Sequence, residues 1–521
     1  MITRRRSGIL VPLFSVPSTR SWGVGEFQDL PVFARWSASA GQSFVQILPI
    51  TEIPDAETSP YSALTAMALD PIYISLPALD DFQALGGEAA LPDEDRATLQ
   101  QIRAASKVSH REIRRLKQRH LRRAYERFLT SEVPVESARA RRFVAFVRDE
   151  SAWLNDYALF QVIRAQRMQQ PWWDWPEPLA RRHPEAVQSA RQELRGEIYF
   201  RMYVQWVAAE QWTDARRQSR PLRIFGDLPF MISADSPDVW TRQHEFRFDA
   251  TVGVPPDAFS KNGQDWGLPP WRWEVMADND YEWMRRRAHR SASLFDGFRL
   301  DHLVGLYRTY IRPIDQSIGP FFAPGDEHAQ RVLGEKLVTI YMESGAEIVA
   351  EDLGTVPDFV RESMQRLGVP GFKVMRWERH WHWEGQPYID PAAYAETSVA
   401  TTGTHDTEPL ALWWGTLSEH DRATVLQTPS VRRRLAGGMP PLDAMLRALL
   451  DSRSRLVIIP VQDVFGWPDR INTPAQVSDD NWTWRLPWPV DSLEEIPLAR
   501  ARAEVLASWS REAERAPPES L

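Results

Sequence analysis

Three ionisable side chains stand close together at the end of a short apolar segment. Phe298 and Leu300 flank Arg299, and Asp301 and His302 follow directly. The apolar part is short for a helix and fits a buried strand. Side chains of a strand repeat every second residue, so Arg299 and Asp301 would share one face, where the guanidinium would keep the carboxylate ionised. An ionised, oriented carboxylate can act as a nucleophile, although a buried Arg–Asp pair can also simply stabilise a core.

An acid follows a short apolar segment at three further places. Asp227, Glu351 and Asp406 each stand within a few positions of the end of such a segment. If these segments are parallel strands of one sheet, their carboxyl ends meet at one edge. Structural ion pairs would not be expected to collect at one edge, so the pattern favours catalysis.

The elements that would carry these acids alternate along the chain. Apolar segments that fit strands lie near residues 9, 45, 225, 299, 348, 373, 401 and 457. Helical segments fit between several of them, as in residues 357–367, which begin with proline and are followed by glycine. Alternating strands and helices indicate a parallel sheet with right-handed crossovers. Eight such units predict an α/β fold, a closed (β/α)8 TIM barrel with its active site at the C-terminal ends of the strands.

The chain is longer than a simple barrel, so we expect insertions. Residues 1–76 would form the first part of the barrel, and residues 221–510 the remainder with active-site loop insertions. Residues 77–220 would form a helical insertion, because apolar residues recur there at three- and four-residue steps. Residues 511–521 resemble a frayed tail.

Composition excludes several classes of function. The formal net charge is −8 and no long basic stripe is present, so we expect no nucleic-acid partner. The absence of cysteine excludes disulfides and thiolate metal sites and favours a cytoplasmic location. Arg4 to Arg6 and the apolar residues after them imitate a signal peptide, but Pro12 and Pro17 interrupt the run, which fits a first strand better. No stretch approaches the roughly 20 apolar residues that span a bilayer, so we expect no membrane partner.

Tryptophan is abundant, with 23 in the chain, and the segment 171–176 reads Pro-Trp-Trp-Asp-Trp-Pro. Flat aromatic faces suit sugar rings, which have apolar C–H faces and polar edges. Tryptophan also fills large cores, and composition alone does not separate the two uses.

Two kinds of chemistry fit the acids. Asp301, His302, Glu351, His405 and Asp406 offer oxygen and nitrogen ligands for a metal, as His380 and His382 do more weakly, but Arg299 already supplies positive charge. Glycosyl transfer with retention needs a carboxylate nucleophile and a second carboxyl group about 5 to 5.5 Å away that acts first as acid and then as base. Asp301 fits the first role. Glu351, after an apolar strand, would have a raised pKa and fits the second.

The motifs resemble those of the 4-α-glucanotransferases, the amylomaltase or disproportionating enzyme family of the α-amylase clan. Each motif is weak alone, but their order and their positions in the predicted barrel make the resemblance specific. The matching segments are GILVPLFSVPS at 8–18, SPYS at 59–62, GDLPFMISADSPDVW at 226–240, GVPPDAFSKNGQDWGLPPW at 253–271, GFRLDH at 297–302, AEDLG at 350–354, THDTEP at 404–409 and NWTWR at 481–485. Nothing downstream resembles the C-terminal β-sandwich domain of α-amylases.

The resemblance implies a role for each matching residue. Asp301 would be the nucleophile, Glu351 the acid/base and Asp406 the carboxylate that stabilises the distorted sugar of the transition state. Other residues would bind maltooligosaccharides or α-1,4-glucans, the implied donors and acceptors: Tyr61, Asp227, Arg299, His302 and His405 around the transferred sugar, and Asp257, Gln264 and Trp266 on the acceptor side. The resemblance implies no cofactor and no metal.

Departures from the family pattern fall in two loops. Ala475 stands where the family usually has glycine, and Thr407 where many relatives have asparagine. Neither removes a catalytic carboxylate, so we expect a glucanotransferase. A retaining α-glucan hydrolase and a noncatalytic glucan-binding barrel are the alternatives. The sequence assigns no oligomeric state.

Overall fold

A closed barrel of eight parallel strands forms the centre of the structure, a computed structural model that describes residues 4–256, 263–474 and 476–517. In chain order, the strands of the described residues are β1 (Arg6–Leu10), β2 (Phe44–Gln46), β3 (Arg223–Leu228), β4 (Ala250–Val254), β5 (Gln264–Leu268), β6 (Gly297–Leu300), β7 (Thr309–Pro313), β8 (Phe321–Ala323), β9 (Glu347–Ala350), β10 (Gly371–Val374), β11 (Ser398–Thr401) and β12 (Leu456–Pro460).

The barrel confirms the predicted fold class. Its strand order is β1–β12–β11–β10–β9–β6–β3–β2, and each predicted strand position falls in or next to one of these strands. All five residues of β12, Leu-Val-Ile-Ile-Pro, are buried, as expected for a parallel strand covered on both faces. At the N-terminal end of the barrel, the carboxylate of Glu347 on β9 pairs with Arg6 on β1 and Arg223 on β3.

A second sheet lies in the insertions that follow β3 and β6. It is antiparallel, in the order β5–β4–β7–β8. The prediction of mainly helical insertions did not include it. Its strands have weak sequence signals, because β8 is three residues long and β5 (Gln-Asp-Trp-Gly-Leu) is partly exposed along its whole length.

Helices cover the barrel and fill the long segment between β2 and β3. Within the described residues, every helix is too short or too polar to span a bilayer. The α-helices are α1 (Leu30–Ser39), α2 (Asp80–Ala84), α3 (Asp93–Ala104), α4 (His110–Ser131), α5 (Ala138–Asp149), α6 (Ser151–Gln166), α7 (Glu177–Ala180), α8 (Pro184–Glu193), α9 (Arg195–Gln218), α10 (Pro237–Thr241), α11 (Trp273–Asp278), α12 (Glu282–Leu294), α13 (Val304–Tyr307), α14 (Glu327–Glu343), α15 (Asp358–Leu367), α16 (Leu410–Thr416), α17 (Glu419–Leu426), α18 (Pro429–Ala436), α19 (Pro441–Leu450), α20 (Val461–Phe465) and α21 (Pro497–Glu512).

Helices α2–α9 also hold the loop after β2, which carries Tyr61. In this loop the carboxylate of Glu52 accepts a hydrogen bond from Nε2 of Gln161 on α6 at 2.8 Å. The side chain of Gln205 on α9 bonds to the N–H and the carbonyl of Leu69 at 2.9 and 2.8 Å. These buried contacts fix the loop at both ends, so the helical segment helps to position Tyr61 over the barrel.

Residues 511–517, the described part of the segment 511–521 that was predicted to be a frayed tail, pack against the barrel instead, and residues 518–521 lie outside the described residues. After α21 the side chain of Arg515 inserts beneath the barrel and is 0% exposed. It donates hydrogen bonds of 2.6–3.2 Å to the carbonyl oxygens of Arg6, Leu450, Ser452, Ser454 and Arg455. Buried cations need such partners. The sequence does not reveal this contact, because every one of these acceptors is a backbone group.

Replacement of Arg515 by alanine should destabilise the protein. Several buried carbonyls would lose their donor, and we expect the free energy of unfolding to fall by about 3 kcal/mol. Urea denaturation followed by tryptophan fluorescence would measure this change. The exposed neighbour Arg511 provides the control, and equal midpoints for Arg511→Ala and Arg515→Ala would contradict the prediction.

Candidate active site

A buried guanidinium joins two carboxylates at the C-terminal end of the barrel. Nη1 of Arg299 on β6 lies 2.9 Å from both carboxylate oxygens of Asp227 on β3 and 2.8 Å from Oδ1 of Asp301. Arg299 and Asp227 are register partners on adjacent strands, and Asp301 directly follows β6. Burial acts to lower the pKa of Arg299, but the two carboxylates hold it well above its usual value. The cation is therefore permanent and fixed.

Tyr61 connects this cluster to the opposite side of the barrel mouth. Its hydroxyl donates a hydrogen bond of 2.9 Å to Oδ2 of Asp227. Its ring stacks on His405, which follows β11, with centroids 4.9 Å apart and an interplanar angle of 19°. Burial raises the pKa of Tyr61 well above its usual value, so the hydroxyl keeps its proton as a donor. One side chain thus ties together three segments that are distant in sequence.

Asp301 and Glu351 occupy matching positions at the ends of neighbouring strands. Leu300 of β6 pairs with Ala350 of β9, and the N–H of Glu351 donates to the carbonyl of Leu300 at 2.9 Å. Neighbouring strands lie about 4.8 Å apart. Retaining glycosyl transfer needs two carboxyl groups about 5 to 5.5 Å apart, so the register is compatible with such a pair.

The two carboxyl groups have different surroundings. Oε1 and Oε2 of Glu351 accept hydrogen bonds from the N–H groups of Leu353 at 3.0 Å and His302 at 2.9 Å. Burial raises the pKa of Glu351 to about 7, although the positive charge of Arg299 acts in the opposite direction. Glu351 therefore exchanges a proton near neutral pH. The side chain of Asp301 is 25% exposed and faces the guanidinium, an arrangement that suits an anion.

His302 adopts an unusual backbone conformation between these two acids. Its φ of 44° lies in the left-handed region, which side chains other than glycine rarely adopt. The turn directs its N–H at Glu351, and strain of this kind often marks functional sites. Its ring packs edge-on against Phe230 and Trp266, with centroids 5.3 and 4.9 Å away. Burial lowers the pKa of His302 to about 4, so the imidazole is neutral.

The third acid, Asp406, lies in the loop after β11. Nε2 of His405 is 3.2 Å from its Oδ2, and Nδ2 of Asn472 donates to its Oδ1 at 2.6 Å. Arg470 donates to the backbone carbonyl of Asp406 at 3.0 Å. Burial acts to raise the pKa of Asp406, but the charge and hydrogen bond of His405 and the hydrogen bond from Asn472 hold it at about 2. Burial also acts to lower the pKa of His405, and Asp406 reverses that effect, so the two form an ion pair.

The antiparallel sheet places the ring of Trp266 beside His302. Trp266 on β5 makes the edge-on contact with His302, and its Nε1 donates to Oε1 of Gln264 at 3.2 Å. Asp257, the third residue predicted on this side, lies outside the described residues. The contact places β5 at the barrel mouth.

The structure brings most of the predicted site residues to one place. The described residues that meet at the barrel mouth are Tyr61, Asp227, Arg299, Asp301, His302, Glu351, His405 and Asp406, with Gln264 and Trp266 at its edge. Within the part of the chain that the structure describes, no group of three or more His, Asp or Glu residues is arranged to hold a metal ion.

Sequence reasoning missed Asn472, Arg470 and Phe230. The segment 470–475 departs from the family pattern at Ala475, but this departure does not point to Asn472. A side-chain amide such as that of Asn472 gives no functional signal in the sequence until the acid it bonds to is known. Phe230 packs against the His302 ring. The Phe230 ring also fills the space beside Gly305, where an added Cβ would lie only 2.4 Å from a ring carbon.

Comparison with known proteins gives one consistent family. The sequence profile of the family described as 4-alpha-glucanotransferase matches residues 11–491. The 4-alpha-glucanotransferase of Chlamydia caviae is 29% identical over 510 residues, which cover 94% of this chain and 92% of that protein. That of Thermus thermophilus is 30% identical over 519 residues, which cover 96% and 98%.

A solved structure agrees with these relatives. Amylomaltase from Streptococcus agalactiae, determined in complex with acarbose, superposes with a TM-score of 0.83 at 26% identity, and the match covers 99% of this chain and 100% of that one. Profile, relatives and fold span nearly the same residues. The chain therefore belongs to the 4-alpha-glucanotransferase family of enzymes.

Proposed function

We propose that this enzyme transfers segments of α-1,4-glucans, such as maltooligosaccharides, to the 4-hydroxyl group of an acceptor glucan or glucose. The observation that carries the proposal is the placement of Asp301 and Glu351 at matching ends of β6 and β9, with Arg299 fixed beside Asp301. Carboxyl groups supply both the nucleophile and the acid, so the proposed chemistry uses no metal and no cofactor.

In the first half-reaction, a carboxylate oxygen of Asp301 attacks the anomeric carbon of the donor. Glu351 gives its proton to the glycosidic oxygen as the bond from that oxygen to the anomeric carbon breaks. The leaving glucan departs with this proton, and a β-glycosyl ester forms on Asp301. Burial raises the pKa of Glu351 to about 7, which suits a group that must begin protonated and end ionised.

In the second half-reaction, the acceptor 4-hydroxyl attacks the anomeric carbon of the ester. The Glu351 carboxylate takes the hydroxyl proton, the ester bond breaks, and Asp301 is released as a carboxylate. Two inversions give net retention of the α-linkage. Glu351 also returns to its starting form, so the cycle closes without any other proton donor.

The remaining residues bind the sugar at the reacting carbon. Asp406, held ionised by His405 and Asn472, would stabilise the positive charge and the distorted ring of the transition state. The neutral imidazole of His302 offers a hydrogen bond without adding charge. Tyr61 and the Asp227–Arg299 pair would form the rest of the wall around this sugar.

Trp266, Gln264 and Asp257 would form the acceptor side. Trp266 stands against His302 at the barrel mouth, where an acceptor glucose can stack on its ring. A retaining hydrolase would use the same acids with water in place of the sugar, and binding of the acceptor decides between them. The position of Trp266 beside the proposed active site supports transfer to a sugar over hydrolysis by water.

We propose that residues 77–220 are an insertion into a barrel formed by residues 1–76 and 221–510, with α2–α9 as support. We also propose a cytoplasmic location, which the absence of cysteine favours.

Incubation with maltotriose tests the function. Transfer yields glucose together with a ladder of longer oligomers, whereas hydrolysis yields only shorter products, and chromatography of the products separates the two.

Asp301→Asn should lower turnover at least about a thousandfold, because an amide is not a nucleophile here, while glucan binding stays measurable. A product mixture without longer oligomers would exclude transferase activity, and undiminished turnover by Asp301→Asn would exclude its role as nucleophile.

The pKa of Glu351 predicts the pH dependence. Above pH 7 a growing fraction of Glu351 is ionised and cannot protonate the leaving group, so kcat/KM for maltotriose should fall about tenfold per pH unit at alkaline pH. A maltosyl fluoride donor needs no such proton, because fluoride leaves as an anion. With that donor, formation of the ester should lose the alkaline decline. If the alkaline decline persists with maltosyl fluoride, it arises from the ionisation of a group other than Glu351.

Asn472 should affect catalysis through Asp406. Asn472→Ala removes a 2.6 Å hydrogen bond from this carboxylate, and we expect kcat to fall about tenfold to a hundredfold, with a smaller change in KM. The pKa of Asp406 should also rise, since a donor to its ionised form is lost. Asp479→Ala, an exposed position in the same loop, is the control. Equal kcat values for both variants at equal thermal stability would argue against a positioning role for Asn472.

A further inference from the structure

A second concave surface lies between the helical insertion and the antiparallel sheet. This groove has a volume of about 430 Å³, within the range of about 300 to 1,000 Å³ found for small-ligand sites. Trp173, Phe248 and Ile314 in its wall are 49%, 47% and 64% exposed. Exposed apolar side chains gathered in one groove often mark a binding site. The Pro-Trp-Trp-Asp-Trp-Pro segment, which the catalytic site does not use, forms one of its sides.

The aromatic rings of the groove are fixed in place. The backbone N–H of Trp172 donates to Asp235 at 3.1 Å, and its Nε1 donates to the carbonyl of Ala234 at 2.8 Å. Trp173 and Phe248 both pack edge-on against the buried Trp172 ring, with centroids 5.6 and 5.8 Å away. A ligand that stacks on these rings would lose little free energy to ordering them.

Strand β5 separates the groove from the active site. Trp266 contacts His302, and the adjacent Gly267, which has a positive φ of 65° where the register of β5 with β4 shifts, lines the groove. A Cβ on Gly267 would meet no atom within 4 Å, so the strand leaves space on that side. β5 is also an edge strand of its sheet. A chain that leaves the active site past Trp266 can cross this edge into the groove.

We propose that the groove binds a distal segment of the α-1,4-glucan whose other end occupies the active site. The inference rests on the proposed function and extends its substrate to longer chains. Glucose units present apolar C–H faces to Trp173 and Phe248, and their hydroxyl edges to Thr251 and Arg181, which also line the groove. The guanidinium of Arg247 is already paired with Asp249 at 2.7 and 3.0 Å, so this lining cation does not require an anionic ligand.

Binding measured in an Asp301→Asn background tests the proposal, because that protein should consume its ligand too slowly to disturb the measurement. Trp173→Ala and Phe248→Ala should each weaken the binding of amylose about fivefold, as loss of one aromatic contact does. Binding of maltotriose, which is too short to fill both places, should stay unchanged. Isothermal titration calorimetry with the two glucans measures both affinities.

Tyr199→Ala, which removes an exposed aromatic ring of α9 outside the groove, should change neither affinity. Unchanged amylose binding in both groove variants would overturn the proposal, as would equal weakening for maltotriose. If the groove variants change the oligomeric state in light scattering but leave the amylose affinity unchanged, the groove is a protein contact and the proposal is overturned. Turnover by Asp301→Asn would instead remove the proposed nucleophile, and a chain-length-dependent loss of binding would still support the groove.

Discussion

The guanidinium of Arg299 is the charge on which the arrangement of the barrel mouth depends. It is buried, and it contacts Asp227 and Asp301 at 2.8 to 2.9 Å. Removal of one partner from a buried charge cluster leaves an uncompensated charge, which costs several kcal/mol. Asp227 in turn accepts the hydroxyl of Tyr61, so this single cation fixes strands β3 and β6 and the loop after β2. Because Tyr61 also stacks on His405 after β11, the complete site needs strands from both sides of the closed barrel.

The acids of the barrel mouth differ in behaviour because their neighbours differ. Burial raises the pKa of Glu351 to about 7, against the opposing effects of the Arg299 charge and of the hydrogen bond from the N–H of Leu353. Asp406 has a charged histidine and an amide, so its pKa falls to about 2. Two carboxyl groups on one rim thereby acquire a proton-exchanging and a permanently ionised role. The same separation of environments is the general way in which one site combines acid and base chemistry at one pH.

The sequence predicted those features that depend on local pattern. Strand β12 is a continuous apolar run, β6 has apolar residues on both sides of Arg299, and the positions of the acids at the strand ends follow from parallel topology. The antiparallel sheet escaped prediction because Gln264 to Leu268 is short and half exposed, so no periodic signal exists. Asn472 and Arg515 escaped because their roles depend on partners far away in the chain, a carboxylate 66 residues distant and a set of backbone carbonyls. Composition and periodicity contain no information about such contacts, whereas family motifs supplied those of Tyr61 and His405.

The choice between sugar and water as acceptor lies outside the barrel itself. In the proposed mechanism Asp301 and Glu351 would perform the same proton and bond changes for either nucleophile, so their geometry would not discriminate. Discrimination between sugar and water requires binding free energy that only a sugar can provide, and aromatic rings can provide it by stacking. Among the described residues, Trp266 and Trp173 are such rings, and both lie outside the barrel strands. Trp266 belongs to the antiparallel sheet, and Trp173 to the helical segment. In the proposed mechanism the barrel would therefore supply the reaction, and the elements outside the barrel strands would select a glucan as the acceptor.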